Sequence, residues 1–291
     1  LRPVDRMVDT AAAIAGGDLS RRVPDADPRT ELGRLGGALN EMLHQIERGI
    51  QTRAAGEARL RRFVADAAHE LRTPLTSLRG YAELYRQGAL RDEPAVANAM
   101  RRIESEGERM ARLVDDLLLL ARLDQQRRLE MTPVNLAALA REAVADLRAI
   151  EPDRPVTEAV DGDAIINGDR TRLRQVIDNL LTNARTHTPP GIPIHVAVEH
   201  GATSVALVVA DEGPGINADD RERIFERFWR ADPARGRAKG GTGLGLAIVA
   251  SLVHAHDGTV EVGGEPGTGA VFTVRLPLLD EGPSRGLRTE D

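Results

Sequence analysis

Cysteine is absent from the 291 residues, which removes disulfides, thiolate metal sites and a cysteine nucleophile at once. Aromatic residues are only 2% of the chain, so a core has to be built from Leu, Val, Ile and Ala. No run approaches the roughly 18 apolar residues of a membrane-spanning helix, and the start has no signal-peptide pattern. A basic excess is missing too: the formal charge is −6, and without a basic face no nucleic-acid binding is expected. What is present is an ordinary soluble balance, 41% apolar and 29% charged, over a length that suits about two domains. The chain opens on Leu1, and further sequence upstream is expected.

The organising stretch runs through Phe63-Val-Ala-Asp-Ala-Ala-His69-Glu70-Leu-Arg72-Thr73-Pro74. Leu60, Val64, Ala67, Leu71, Leu75, Leu78, Ala82 and Tyr85 recur every three or four residues, the stripe of a long amphipathic helix with one buried seam. His69 lies two residues from Ala67 and two from Leu71, roughly 200° around from each, so its imidazole faces solvent. Glu70 can accept the ring N–H, fixing the tautomer and leaving the other nitrogen nucleophilic. Thr73 follows one turn on, and Arg72 stands where a cation can meet a phosphoryl group. Pro74 removes a helix hydrogen bond just beyond.

Upstream, Val4, Val8, Ala11 and Ile14 form one stripe and Leu32, Leu35, Leu39, Met42 and Ile46 another, joined by a Gly/Pro/Asp-rich connector with an apolar anchor at Leu19. Downstream, Asp92-Glu93-Pro94 starts a helix whose seam is Val96, Met100, Ile103, Gly107, Met110, Val114, Leu117 and Ala121. The pair predicts a helical hairpin, which has too little core to stand alone and is expected to dimerise into a four-helix bundle. From about Met131 the pattern becomes mixed α/β: a helix over Leu136–Leu147 and strands at Pro155–Val160, Ala164–Asn167, Ile192–Glu199, Ser204–Ala210, Thr259–Val262 and Ala270–Leu276.

That last region carries a second constellation. On a helix over Thr171–His187, Asn179 and Asn183 are four apart, so their amide oxygens can converge on one small hard cation. Asp211 at a strand end precedes Gly213 and Gly215, which let backbone approach a ligand closely. Gly240-Gly241-Thr242-Gly243-Leu244-Gly245 opens an apolar helix, a setting suited to phosphates. Its spacing is not that of a dinucleotide fold.

His69-Glu70-Leu-Arg-Thr73-Pro74 resembles the H-box of bacterial sensor histidine kinases. The Asn pair, the Asp211–Gly215 stretch, Ile224-Phe225-Glu226-Arg227-Phe228 and the glycine loop resemble, in order, the N, G1, F and G2 boxes of the GHKL (Bergerat) ATP-binding fold. The first two stripes and their connector resemble a HAMP domain. The resemblance implies a multidomain α and α/β chain: a HAMP bundle at 1–55, a dimerisation and histidine phosphotransfer hairpin at 56–128 and an α/β two-layer sandwich binding ATP at 132–279; the polar, Gly/Pro-containing tail at 280–291 is expected to be disordered on its composition.

It further implies that His69 accepts the γ-phosphoryl of ATP and passes it to an aspartate of a response regulator. Glu70 would act as general base, and Thr73 would position a water for dephosphorylating the regulator. Asp211 would hold the adenine amino group, with Gly213 and Gly215 beside it. Asn183 would ligate Mg²⁺ with Asn179 in support, and Gly241, Thr242, Gly243, Leu244 and Gly245 would contact the triphosphate. The segment Arg230–Lys239 would be a lid. The implied partners are a second copy of the chain, a response regulator docking around Ser77 and Tyr81, and the membrane through an upstream span, with this chain on its cytoplasmic side.

ATP-hydrolysing members of the superfamily carry glutamate where Asn179 stands, and asparagine cannot serve as that base. This disfavours an ATPase clamp, while intact His69, Asn183 and Asp211 disfavour a catalytically silent nucleotide-binding scaffold. Thr186 and His187 depart from the Lys/Arg and Tyr usual after the second Asn, leaving open whether His187 or Arg185 meets nucleotide. His44, His195, His200, His254 and His256 are assigned structural or surface roles.

Overall fold

The computed structural model describes residues 8, 10, 12–14, 16, 18, 21–23, 29–124, 129–160, 162–231 and 242–279. Gly241, the tail 280–291, Leu19 and most of the expected lid lie outside the described residues. Two compact units divide at Ala68 and His69.

In the first unit, residues 8, 10 and 12–14 are helical. Helix α1 then spans Glu31–Arg86, capped by Thr30, whose Oγ1 accepts the Gly33 N–H at 2.9 Å. The separate helices expected on either side of residue 55 are thus one. Between Ile46 and Leu60 there is no proline, and Gly49 and Gly56 each cost only about 1 kcal/mol in a helix interior. The connector is tied to α1 by Asn40, whose side chain accepts from Val23 N–H at 2.8 Å and donates to Val23 C=O at 3.1 Å. Val23 and Leu43 are buried, while Leu35, Met42 and Ile46 of the predicted stripe are exposed.

The second unit begins with the last turns of α1. Gly88 stops the helix: at φ +68 it lets Gly88 and Ala89 N–H reach the Tyr85 and Leu84 carbonyls. Helix α2, Glu93–Asp124, starts at Asp92, whose Oδ1 accepts the Ala95 N–H at 2.7 Å. The expected seam is only partly covered in the single chain: Leu75, Met100 and Val114 are exposed, as is Leu118 beside it, while Val96, Ile103, Met110 and Leu117 are half-buried. Ala67, Leu71 and Leu78 are half-buried, whereas Leu60, Val64, Ala82 and Tyr85 are exposed.

The α/β part follows as β1 Thr132–Asn135, α3 Leu136–Ile150, β2 Val156–Val160, β3 Ile165–Gly168, α4 Arg170–His187, β4 Ile194–His200, β5 Ser204–Asp211, α5 Gly245–Ala255, β6 Thr259–Gly263 and β7 Ala270–Pro277. A five-stranded sheet has the order β2-β4-β5-β7-β6, and β1 pairs with β3 in a separate ribbon. Only β2 and β4 are parallel; β4-β5, β5-β7 and β7-β6 are antiparallel. Burial alternates along β4, β5 and β7, so one face is covered by helices, giving two layers. Register sets Val196 opposite Val209, and Val209 opposite Phe272. Val176, Ile177 and Leu180 of α4 and Ile248 and Leu252 of α5 close this layer. Among the described residues Phe272 is the one fully buried aromatic in this cluster, which Leu113, Leu119 and Leu120 of α2 join.

The short strand β1 escapes the sequence reading. Pro133 and Asn135 disfavour a strand, yet at a two-stranded edge proline need not donate to the ladder.

Candidate functional site

His69 is exposed on α1, as its position off the apolar stripe requires. Its carbonyl accepts the Thr73 hydroxyl at 3.5 Å. Pro74 is buried in the same helix and has no N–H to give the Glu70 carbonyl four residues back. The Glu70 side chain does not go where the sequence suggested. Its Oε2 accepts from Nη2 of Arg230 at 2.9 Å, and among the described residues no hydrogen bond joins Glu70 to the His69 ring. Adjacent helical residues point about 100° apart, so the ring and the carboxylate diverge unless one of them turns.

The second constellation is assembled by α4, which carries both asparagines and is followed by its C-cap Thr188. Near its middle, Asn179 Nδ2 donates to the Gly245 carbonyl at 3.3 Å, which sets the amide against the first turn of α5. Asn183 lies one turn further along, half-buried. Gly243, at φ +72, accepts the Phe228 N–H at 2.9 Å. A Cβ there would stand 3.0 Å from Phe228 Cα and 3.2 Å from the Trp229 carbonyl oxygen. Thr242 Oγ1 accepts the Leu244 N–H at 3.3 Å, and Leu244 is buried. The N–H groups of the first turn of α5 have no helical acceptors, so they are available to an anion.

At the end of β5, Asp211 is buried and its Oδ1 accepts the Gly213 N–H at 2.9 Å. A Cβ on Gly213 would meet that oxygen at 2.7 Å and Thr188 Cγ2 at 2.8 Å. On Gly215, at φ +71, it would fall 2.0 Å from the Glu265 carbonyl oxygen. The backbone can pass here only as glycine. N–H donors at a helix start, glycines at the close backbone approaches and neutral amide oxygens together fit a phosphate accompanied by a small hard cation.

Several contributors were not found from sequence. Thr188 packs behind Gly213 and is itself held by buried Arg154, whose Nη1 donates to Thr188 Oγ1 at 2.8 Å and to the Ile192 carbonyl at 2.9 Å. Arg154 also pairs with Glu151, as does Arg185 at 2.8 Å. Hydrogen bonds from Arg185 and then Arg154 hold the Glu151 carboxyl below its ordinary range. Arg185 is thereby tied to this brace through Nε. His256 is buried; its Nε2 accepts the Asp169 N–H at 3.0 Å and its Nδ1 lies 2.7 Å from the Leu252 carbonyl, so Nδ1 carries the proton. Asp169 Oδ1 in turn caps α4 through the Arg172 N–H at 3.2 Å. One imidazole thereby fastens the end of α5 to the start of the asparagine helix. A histidine four residues after Leu252 on an apolar helix was the only hint of it.

Phe228 has φ 62, uncommon for a bulky residue. Its neighbours are well anchored: the Phe225 ring meets Phe272 edge-on at 6.5 Å, and Arg223 lies over Trp229 at 6.0 Å.

Comparison with known proteins matches three successive family models. Residues 1–48 match the HAMP domain, 59–126 the His Kinase A (phospho-acceptor) domain, and 168–280 the histidine kinase-, DNA gyrase B- and HSP90-like ATPase. A Mycobacterium tuberculosis protein described as a probable sensor histidine kinase, TcrY, is 48% identical over 289 residues, covering 96% of this chain and 60% of TcrY. Full-length ShkA in complex with AMPPNP is similar in structure, with TM-score 0.55 and 33% identity over 75% of this chain and 45% of that one. Histidine kinase ThkA in complex with response regulator protein TrrA gives TM-score 0.62 and 25% identity over 81% of this chain and 66% of that one. The chain spans between about half and 60% of the length of the curated relatives it matches. With three matched models in the order its motifs predict, and with relatives of this identity, the chain belongs to the sensor histidine kinase family.

Proposed function

We propose that the chain is the transmitter of an ATP-dependent protein histidine kinase that phosphorylates itself on His69 and passes the phosphoryl group to an aspartate of a response regulator. The observation that carries this reading is the environment of Asn179. The side chain set against the glycine loop is an amide bonded to Gly245, which cannot take a proton from water, while an exposed imidazole stands in the same compact unit. In the step itself, a His69 ring nitrogen bonds to the γ-phosphorus, the bond from that phosphorus to the bridging oxygen breaks, and ADP leaves with the electron pair. The proton on the other ring nitrogen passes to Glu70. Rate comes from positioning and charge neutralisation.

Asp211 and Gly213 would receive the adenine edge, with Gly215 beside them. The loop through Gly241, Thr242, Gly243, Leu244 and Gly245 would hold the triphosphate. Asn183, supported by Asn179, would hold Mg²⁺, which when bound neutralises phosphate charge. Thr73, one turn beyond His69, would orient a water for dephosphorylating the regulator, whose presence as a partner is supported by the complex of ThkA with TrrA. The exposed part of the hairpin seam supports a homodimer. Domain limits near 55, 128 and 279, and a membrane anchor upstream that sets this part on the cytoplasmic side, complete the proposal.

The test is transfer of label from γ-labelled ATP with Mg²⁺ to this chain and to His69→Gln. The expected label is acid-labile, base-stable and lost in the variant. Nucleotide binding without any label would overturn the kinase reading in favour of a nucleotide-gated scaffold.

A further inference from the structure

The Arg230–Glu70 ion pair joins residues 160 apart in sequence, and both ends are sheltered: their side chains are 12% and 28% exposed. The chain around each is packed on the same core, Leu71 on one side and Phe228 and Trp229 on the other. The guanidinium is thus delivered by a braced segment, in contrast to a loose surface arginine, and a charge-assisted bond in this shelter is stronger than an exposed pair. The same segment is bonded to the glycine loop through Phe228 N–H and the Gly243 carbonyl. It passes that point with Phe228 in the left-handed region, where a non-glycine residue persists only if its surroundings hold it. Two residues therefore separate the loop that would receive phosphates from the cation on Glu70.

We propose that Arg230 is a positioning residue that holds the Glu70 carboxylate away from the His69 ring in the nucleotide-free protein. Filling the glycine loop shifts the 228–230 segment and releases the carboxylate to the imidazole. This deepens the kinase reading and rests on it for the role of Glu70. The arrangement keeps the nucleophile unassisted until its phosphoryl donor is in place.

The experiment is the rate at which diethyl pyrocarbonate acylates His69, followed by peptide mass spectrometry in the nucleotide-free chain, which needs no kinase activity. Acylation depends on the nucleophilicity of the ring, so a freed carboxylate accelerates it. Arg230→Gln should raise the His69 rate severalfold, Arg230→Lys should leave it near that of the unmodified chain, and Arg230→Gln with Glu70→Gln should return it there. AMPPNP with Mg²⁺ should accelerate acylation of the unmodified chain and have no such effect on Glu70→Gln. An unchanged rate in Arg230→Gln, or a gain that survives Glu70→Gln, overturns the proposal. If Arg230→Gln does not fold, the nucleotide response of Glu70→Gln decides alone, and a retained acceleration overturns it. Failure of the kinase reading would show separately, as absent label from ATP.

Discussion

The hairpin and the α/β part obey the same apolar periodicity but complete it differently. In the sheet, alternate residues of β4, β5 and β7 meet helices of the same chain, and Ile194, Leu207 and Val274 are all but fully buried. In the hairpin, the corresponding stripe contains Leu75 and Val114, both exposed in the single chain. A periodic stripe tells that a face is to be covered. It does not tell by which chain.

The largest effect should come from the closed half. Phe272→Ala removes the cluster's one fully buried aromatic among the described residues, and its truncation should cost about 3–5 kcal/mol, read as a lowered midpoint in urea unfolding. Met100→Ala on the open hairpin face should change the stability of the dilute monomer by no more than about 0.5 kcal/mol. Equal losses at the two positions would break the comparison.

Next in size is the effect on association. Leu75→Asp and Val114→Asp place charges on the exposed seam without touching the α/β core. Sedimentation should show the parent chain as a dimer and these variants as monomers with an unchanged α/β fold by circular dichroism. Dimers that survive both substitutions would remove the seam from the interface.

The same contrast explains what could be read in advance. Strands β2 to β7 lie within two residues of their expected limits because alternation and turn residues are local properties. Asp211, Gly213, Gly243 and Asn179 were nameable because glycines that cannot bear a Cβ leave a spacing in the chain. The continuous α1 was hidden by the habit of ending helices at a change of seam. Arg230 on Glu70, Arg154 on Thr188 and His256 on Asp169 were illegible for one reason. Each joins elements 34 or more residues apart, and neither periodicity nor a local motif records which side chains a fold brings together.

The smallest effect contrasts two carboxylates. In the hairpin, burial first and Asp115 second push Asp116 up to about 6, with Arg112 opposing. In the α/β part, Arg185 and Arg154 hold Glu151 below its usual range. For Asp116 the folded chain binds the proton more tightly than the unfolded one, so stability falls as pH rises from about 4 to about 6 and stays lowered above. Asp116→Asn should therefore raise the melting temperature at pH 7.5, with the gain gone by pH 4. For Glu151 the sign reverses: its contribution is present above the unfolded value and is lost as pH falls through the folded one. Glu151→Gln should accordingly lower the melting temperature at neutral pH, with the difference narrowing in acid. Thermal melts of both variants from about pH 2.5 to 8 check this, and profiles of the same slope would show that the two halves do not differ in how they hold a charge.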